Sequence, residues 1–253
     1  MKTTRLTLSL IILLTIIPMS KAQDRSQVKV TTDLVSSYIW RGVLSTAKPT
    51  PNLQPTLAYI YKGFELGVWG STDFIGSYKE IDPYISYSKG LFKITLTDYN
   101  WNFKTNYFNL KNKETDHILE GSLAYNGIES FPLGISVSTM FYGADKKYQN
   151  NYQYTDNNGS VIVGGQNPEK QNYSTYIELT YPIKSLNFFV GFTPADGYYG
   201  DGYGNRSGFG VVNLGLSGSR SINMTDKFSL PVKTTLGFNP QKEDAYLVFT
   251  LTL

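Results

Sequence analysis

Hydrophobic and polar residues alternate with a period of two along most of the chain after residue 22. In the last segment Ala245, Leu247 and Phe249 fall on one side of an extended chain, and Tyr246 and Thr250 fall on the other. This period is typical of β-strands with one apolar face and predicts an all-β chain. Twelve such segments follow one another, separated by residues that favour turns: 27–42, 53–61, 64–72, 79–88, 91–101, 115–125, 131–143, 171–181, 185–193, 208–217, 228–238 and 243–253.

The lengths of the segments and of their connections point to a membrane barrel. Most segments are about 9 to 11 residues long, the length of a tilted strand that crosses a bilayer. Short turns such as 62–63 and 89–90 alternate with long polar connections such as 102–114 and 144–170. An even strand number with short turns at one end and longer loops at the other is typical of outer-membrane proteins. We therefore predict a transmembrane up-and-down antiparallel β-barrel of twelve strands, with a soluble two-sheet sandwich as the alternative fold.

The first 22 residues have the pattern of a secretory signal peptide. Lys2 and Arg5 precede an apolar run, and Ser20, Lys21 and Ala22 form a small-residue cleavage site. We predict that 1–22 is removed and that 23–253 forms the barrel in a bacterial outer membrane. Its expected partners are outer-membrane lipid and the barrel-assembly machinery.

Composition excludes several classes of function. Without the three basic residues of the signal, 20 basic and 20 acidic residues remain, so no excess of positive charge is available for nucleic acid. The chain has no cysteine and one histidine, His117, which excludes thiolate and multi-histidine metal sites. We predict no cofactor and no metal. We also predict no enzyme activity, since His117 beside Asp116 has no identifiable nucleophile; a barrel enzyme acting on outer-membrane lipid stays open as an alternative.

The side of each strand opposite the apolar residues should face the lumen. Acids outnumber bases there, and a ring of carboxylates in a confined pore favours cations. We therefore hypothesise a weak cation preference. The alternative is a filled barrel in which these charges pair across the lumen as a structural network. The predicted lumenal charges are Asp33, Arg41, Glu65, Glu80, Asp82, Glu120, Glu178 and Lys233.

Several local features carry more specific predictions. Arg41 is expected to form a salt bridge with Asp33 or with an acid of the neighbouring strand, and aromatic residues such as Tyr38 and Trp40 are assigned to a belt at the membrane interface. Asp98 falls on the apolar side of its segment, which predicts a bulge there. The loops 144–170 and 194–207 are expected at the surface, with inward folding as the alternative. The second loop offers stacked tyrosines for a sugar and three oxygen ligands for calcium, without the ligand spacing of an EF-hand: Asp196, Asp201 and Asn205.

One region resembles a known family. The run Tyr38-Ile39-Trp40-Arg41-Gly42, then Pro51, then Gln54-Pro55 and the glycine-tryptophan strand 63–71 are similar to the opening of the TorF-type porin family of bacterial outer-membrane β-barrel proteins. The likeness covers about residues 28 to 101. It implies an outer-membrane porin for the passive diffusion of small hydrophilic solutes. A structural or surface-binding barrel with a filled lumen is the alternative function.

Overall fold

The computed structural model describes residues 26–101, 106–149, 153–155, 159–199, 208–226 and 228–253. The predicted signal peptide 1–22 lies outside these residues. Twelve antiparallel strands form a closed barrel. They are β1 (Gln27–Val35), β2 (Asn52–Tyr61), β3 (Phe64–Asp73), β4 (Lys79–Lys89), β5 (Phe92–Tyr99), β6 (Ile118–Tyr125), β7 (Gly134–Gly143), β8 (Thr175–Ile183), β9 (Leu186–Thr193), β10 (Gly210–Thr225), β11 (Phe228–Asn239) and β12 (Asp244–Thr252). No helix in the described part of the chain is long and apolar enough to cross a membrane.

Each strand pairs with the next one along the chain, and β12 returns to pair with β1. The closing register sets Asp33 opposite Thr252 and Val35 opposite Thr250. This confirms the predicted up-and-down barrel of twelve strands. Closure satisfies the backbone donors and acceptors of the strands within the ladder, which a strand in hydrocarbon requires.

The two faces of the wall differ sharply. Outward residues include Val30 and Leu66, whose side chains are 71% and 61% exposed, whereas the inward residues Glu80 and Glu120 are 3% and 1% exposed. The exterior is therefore a continuous apolar band around a polar interior, the arrangement of a barrel that crosses lipid.

The two ends of the barrel also differ. At the short-loop end the connections 62–63, 90–91 and 184–185 each join neighbouring strands by two residues. Lys62 and Gly63 there have φ values of 48° and 85°, as the tightest hairpins require. The second of these turns lies one residue later than predicted, because Lys89 pairs with Phe92. The opposite end, the long-loop end, carries the long polar connections.

Strand β10 runs further than its pattern predicted. The sequence predicted a strand end at Ser217 and a loop over 219–227, but pairing with β11 continues through Ile222 opposite Leu230. Strand β9 begins at Leu186 opposite Gly218, so the last part of β10 has β11 as its partner. The β10–β11 hairpin therefore extends past the wall at the short-loop end.

Three inward tyrosines lie over glycines of adjacent strands. A Cβ atom added to Gly67 would lie 2.6 Å from the Tyr84 ring, and Tyr176 and Tyr246 cover two further glycines in the same way. An aromatic ring over a strand glycine restores the packing that the missing side chain removes. The tyrosine rings therefore cover the inner surface of the wall at these three glycines.

We expect Gly67→Ala to lower the free energy of unfolding by about 1–3 kcal/mol, because the new methyl group overpacks against Tyr84. Gly70→Ala is the matched control on the same strand, since its nearest neighbour would be 3.4 Å away. Urea unfolding of the two variants in detergent measures the difference. Equal midpoints for both would contradict the packing role of Tyr84.

Candidate functional site

An inner hairpin brings Arg41 into the lumen. The chain leaves the wall after Val35, where the sequence predicted a strand to residue 42, and Ile39–Trp40 then pairs with Val43–Leu44. Arg41 and Gly42 form the turn with φ values of 51° and 79°. The Asn239 side-chain amide donates to the Gly42 carbonyl at 2.9 Å, which ties the turn to β11.

Tyr38 and Trp40 consequently lie inside the barrel. Tyr38 is buried against Trp69 and Tyr78, and Trp40 packs against Tyr99. Their assignment to an interfacial belt was therefore wrong. The aromatic residues pack inside the lumen, because the hairpin that carries them turns inward.

Arg41 and Glu120 form a bidentate ion pair inside the barrel. The guanidinium lies 2.5 Å from Oε2 and 2.8 Å from Oε1 of Glu120. The Tyr99 hydroxyl donates to the same carboxylate at 3.0 Å. The Arg41 Cζ atom is 4.6 Å from the Trp40 ring centroid and 4.9 Å from that of Tyr176. Bidentate geometry and aromatic faces are the surroundings that suit a buried guanidinium. The partner of Arg41 is thus Glu120 on β6, neither Asp33 nor an acid of an adjacent strand.

Packed side chains surround this ion pair and narrow the lumen. Met140 and Val212 have no exposed area, and Tyr199 is 3% exposed. Tyr199 comes from the loop after β9 and also contacts the Arg41 guanidinium through its hydroxyl. Residues 197–199 of that loop fold inward, so the expected surface placement is wrong there, whereas 194–196 are exposed as expected; Asp201 and Asn205 lie outside the described residues. We call this group the constriction: Arg41, Glu120, Met140, Tyr176, Tyr199 and Val212.

A second buried polar group lies between the constriction and the wall. Glu80 accepts hydrogen bonds from the Tyr78 hydroxyl at 2.7 Å and from the Trp101 indole. Asp82 accepts one from the Asn100 backbone at 3.2 Å. Burial, followed by the charge of Glu80, raises the pKa of the nearby Tyr198 to about 12, so this phenol stays neutral at physiological pH. These acids face inward but are enclosed by aromatic rings.

A cavity of about 650 Å³ occupies the lumen between the constriction and the short-loop end. Asp33 and Glu178 line it, as does Lys233. Thr252 donates to Asp33 at 2.6 Å, and Tyr176 donates to Glu178 at 2.5 Å. Ten further lining residues carry hydroxyl or amide side chains: Ser37, Gln54, Asn187, Asn213, Ser217, Ser219, Ser221, Thr235, Thr250 and Thr252. Arg41 and Arg220 also line the cavity, and Arg41 is paired with Glu120. The cavity is therefore polar, and its two acids are matched by Lys233 and Arg220.

The predicted lumenal charges fall into separate places. Asp33, Arg41, Glu178 and Lys233 line the cavity, whereas Glu80, Asp82 and Glu120 are buried. Glu65 accepts from the Tyr84 hydroxyl at 2.7 Å and lies 3.5 Å from the Lys93 ammonium.

Sequence reasoning missed two kinds of lumenal residue. Lys29 and Lys93 alternate with outward apolar residues and so could have been counted with the predicted charges. Tyr199 has no such signal, because it lies in a loop.

His117 is held on both ring nitrogens. Its Nδ1 atom lies 2.8 Å from Asp98 Oδ1, and its Nε2 atom lies 2.5 Å from the Tyr107 carbonyl oxygen. The imidazole is 2% exposed and both of its nitrogens are hydrogen-bonded, so neither nitrogen is free to act as a general base.

The bulge predicted at Asp98 is misplaced. The strand register at Asp98 is regular, and the register shift lies between Leu119 and Glu120. No bulge is needed at Asp98, because His117 satisfies its carboxylate directly. Among the described residues, no group of three acids or histidines is placed to hold a metal ion.

No family model matches this chain, and no curated protein matches it. The resemblance to TorF-type porins therefore stays a prediction. Among solved structures, the chain is similar to one described as "NanC porin structure in rhombohedral crystal form". The two share 8% sequence identity with a TM-score of 0.44, over 88% of this chain and 98% of that chain.

We expect Glu120→Gln to destabilise the protein by about 3–5 kcal/mol, because it leaves the buried Arg41 charge without its partner. Glu114→Gln is the control, since Glu114 pairs with Lys111 at a site where both side chains are more than half exposed. That change should alter stability by no more than about 0.5 kcal/mol. Unfolding free energies in urea measure both effects, and a small loss for Glu120→Gln would show that the pair does not support the constriction.

Proposed function

We propose that this protein is a bacterial outer-membrane porin through which small hydrophilic solutes diffuse passively. The observation that carries the proposal is the polar cavity of about 650 Å³ inside a closed barrel with an apolar exterior. An apolar exterior supports residence in a membrane, and the predicted signal peptide supports export, which an outer-membrane barrel requires. Outer-membrane lipid and the barrel-assembly machinery are its proposed partners.

The constriction limits what can pass. It fills the lumen on the side of the cavity away from the short-loop end, and its residues Met140 and Val212 have no exposed area. Twelve strands lie between the small filled barrels of about eight strands and the wide porins of about sixteen, so the wall alone allows either outcome. We therefore propose a narrow channel whose conductance depends on the constriction.

The packed constriction also favours a second candidate, a barrel with a structural or surface-binding role and no conduction. In that role the ion pair of Arg41 with Glu120 would keep the lumen permanently closed. Conduction separates the two functions, because their walls are the same.

The cation preference is a further hypothesis. It rests on Asp33 and Glu178, because Glu65 and Glu120 already pair with Lys93 and Arg41. The same cavity is lined by Lys233 and Arg220. We therefore propose that any preference for cations is weak.

Single-channel recording in a planar bilayer tests the channel directly. We expect small conductance steps from the refolded wild-type protein and larger ones from Tyr199→Ala, because the substitution removes a ring from the constriction. Heat-dependent gel migration first establishes that each sample is folded. Silence from both folded proteins would contradict the porin and favour the filled barrel.

Reversal potentials in a salt gradient test the charge hypothesis. We expect Lys233→Glu to shift the potential towards cation selectivity and Glu178→Gln to shift it towards anions, since each changes a charge on the cavity wall. Glu114→Gln, on an exposed loop, is the control. Identical potentials for all three variants would show that these walls do not set ion preference.

A further inference from the structure

Ser174 joins an outer hairpin to the barrel wall. The outer hairpin is formed by Lys146–Tyr148 paired with Gln166–Gln171, and Asp145 and Ser174 flank its two ends. The Asp145 carboxylate accepts from the Ser174 backbone N–H at 2.8 Å and from its hydroxyl at 2.6 Å. Both residues are fully buried. The two ends of the outer hairpin are thus closed by a short, water-excluded pair of hydrogen bonds.

The same Ser174 hydroxyl oxygen accepts a hydrogen bond from the loop after β9, which carries Tyr199 into the constriction. The Tyr198 backbone N–H donates to it at 2.8 Å. Gly197 lies directly against this serine, because a Cβ atom added there would be 3.0 Å from the Ser174 Cβ. The backbone of the loop is therefore tied to Ser174 at Tyr198, and a side chain at the preceding Gly197 would not fit.

From this point the loop reaches the ion pair. The Tyr198 ring packs 5.1 Å from Trp101, and the Tyr199 ring packs 5.3 Å from Tyr176. The Tyr199 hydroxyl lies 3.3 Å from Glu120 Oε2. A continuous set of contacts thus connects the base of the outer hairpin to the centre of the lumen.

We infer that Asp145 and Ser174 are positioning residues for the constriction. They fix the backbone at Tyr198, and this places the Tyr199 ring across the lumen against the Arg41–Glu120 pair. The outer hairpin and the constriction are therefore coupled through the Ser174 hydroxyl. The inference on placement stands on the contacts alone; its effect on conductance rests on the proposed function.

Thiol labelling tests the placement without any need for conduction. The chain has no native cysteine, so Val212→Cys introduces a single thiol into the buried cluster that contains Tyr199. We expect a water-soluble thiol reagent to label it at least about tenfold faster when Ser174→Ala is added, because loss of the Tyr198 hydrogen bond alone corresponds to about that factor. Gly197→Ala should have the same effect, because it forces the loop away from Ser174.

Thr175→Ala is the matched control. It removes a hydroxyl one residue further along, which pairs with Thr139 at 2.9 Å instead of with the loop. Its labelling rate should equal that of Val212→Cys alone. Unchanged labelling in both the Ser174→Ala and the Gly197→Ala proteins, each folded by gel migration, would overturn the inference.

A double-mutant comparison of conductance separates the two proposals. Ser174→Ala should raise conductance in the wild-type background and change nothing in a Tyr199→Ala background, since it acts through that ring. Equal increases in both backgrounds would contradict the inference and leave the porin intact. Faster labelling with no conduction from any folded variant would contradict the porin and support the positioning role.

Discussion

The closed hydrogen-bond ladder is the constraint on which the rest of this structure depends. In hydrocarbon an unpaired strand edge is too costly to persist, so β12 must return to β1. Closure in turn fixes which side chains point inward, because alternation along each strand leaves no choice of face. The apolar exterior, the polar cavity and the three inward tyrosines that cover glycines all follow from that one requirement.

Within the closed wall, the need to pair buried charges decides how the lumen is filled at the constriction. A guanidinium placed inside a barrel needs a carboxylate in good geometry, and that carboxylate needs further donors. Arg41 pairs with Glu120, whose oxygens also accept from the Tyr99 hydroxyl. The inner hairpin, the loop bearing Tyr199 and strand β6 meet for this reason. Towards the short-loop end the described residues form no comparable cluster, and a polar cavity remains. One barrel thus contains a packed half and an open, polar half.

The wall could be predicted from sequence because its signal is local. The period of two identifies each strand without knowledge of its neighbours, and all twelve predicted segments correspond to strands. The constriction could not be predicted in this way. Tyr38 and Trp40 continue the alternation of β1, so nothing local marks the turn after Val35. Tyr199 lies in a loop, where no period indicates which way a side chain points. Its contact with Arg41 joins positions 158 residues apart.

The large sequence separations in the constriction also determine the order in which the molecule can assemble. Asp33 and Thr252, which close the barrel, are 219 positions apart, and Arg41 and Glu120 are 79 apart. Contacts of this kind form late, because the chain must first lose the entropy of the intervening loops. The Arg41 pair draws on β6, the inner hairpin and the loop after β9, so we expect it to form after the strands have paired. Interactions made after the folding transition state mainly slow unfolding. We therefore expect the constriction to lengthen the lifetime of the folded barrel, independently of any passage through the cavity.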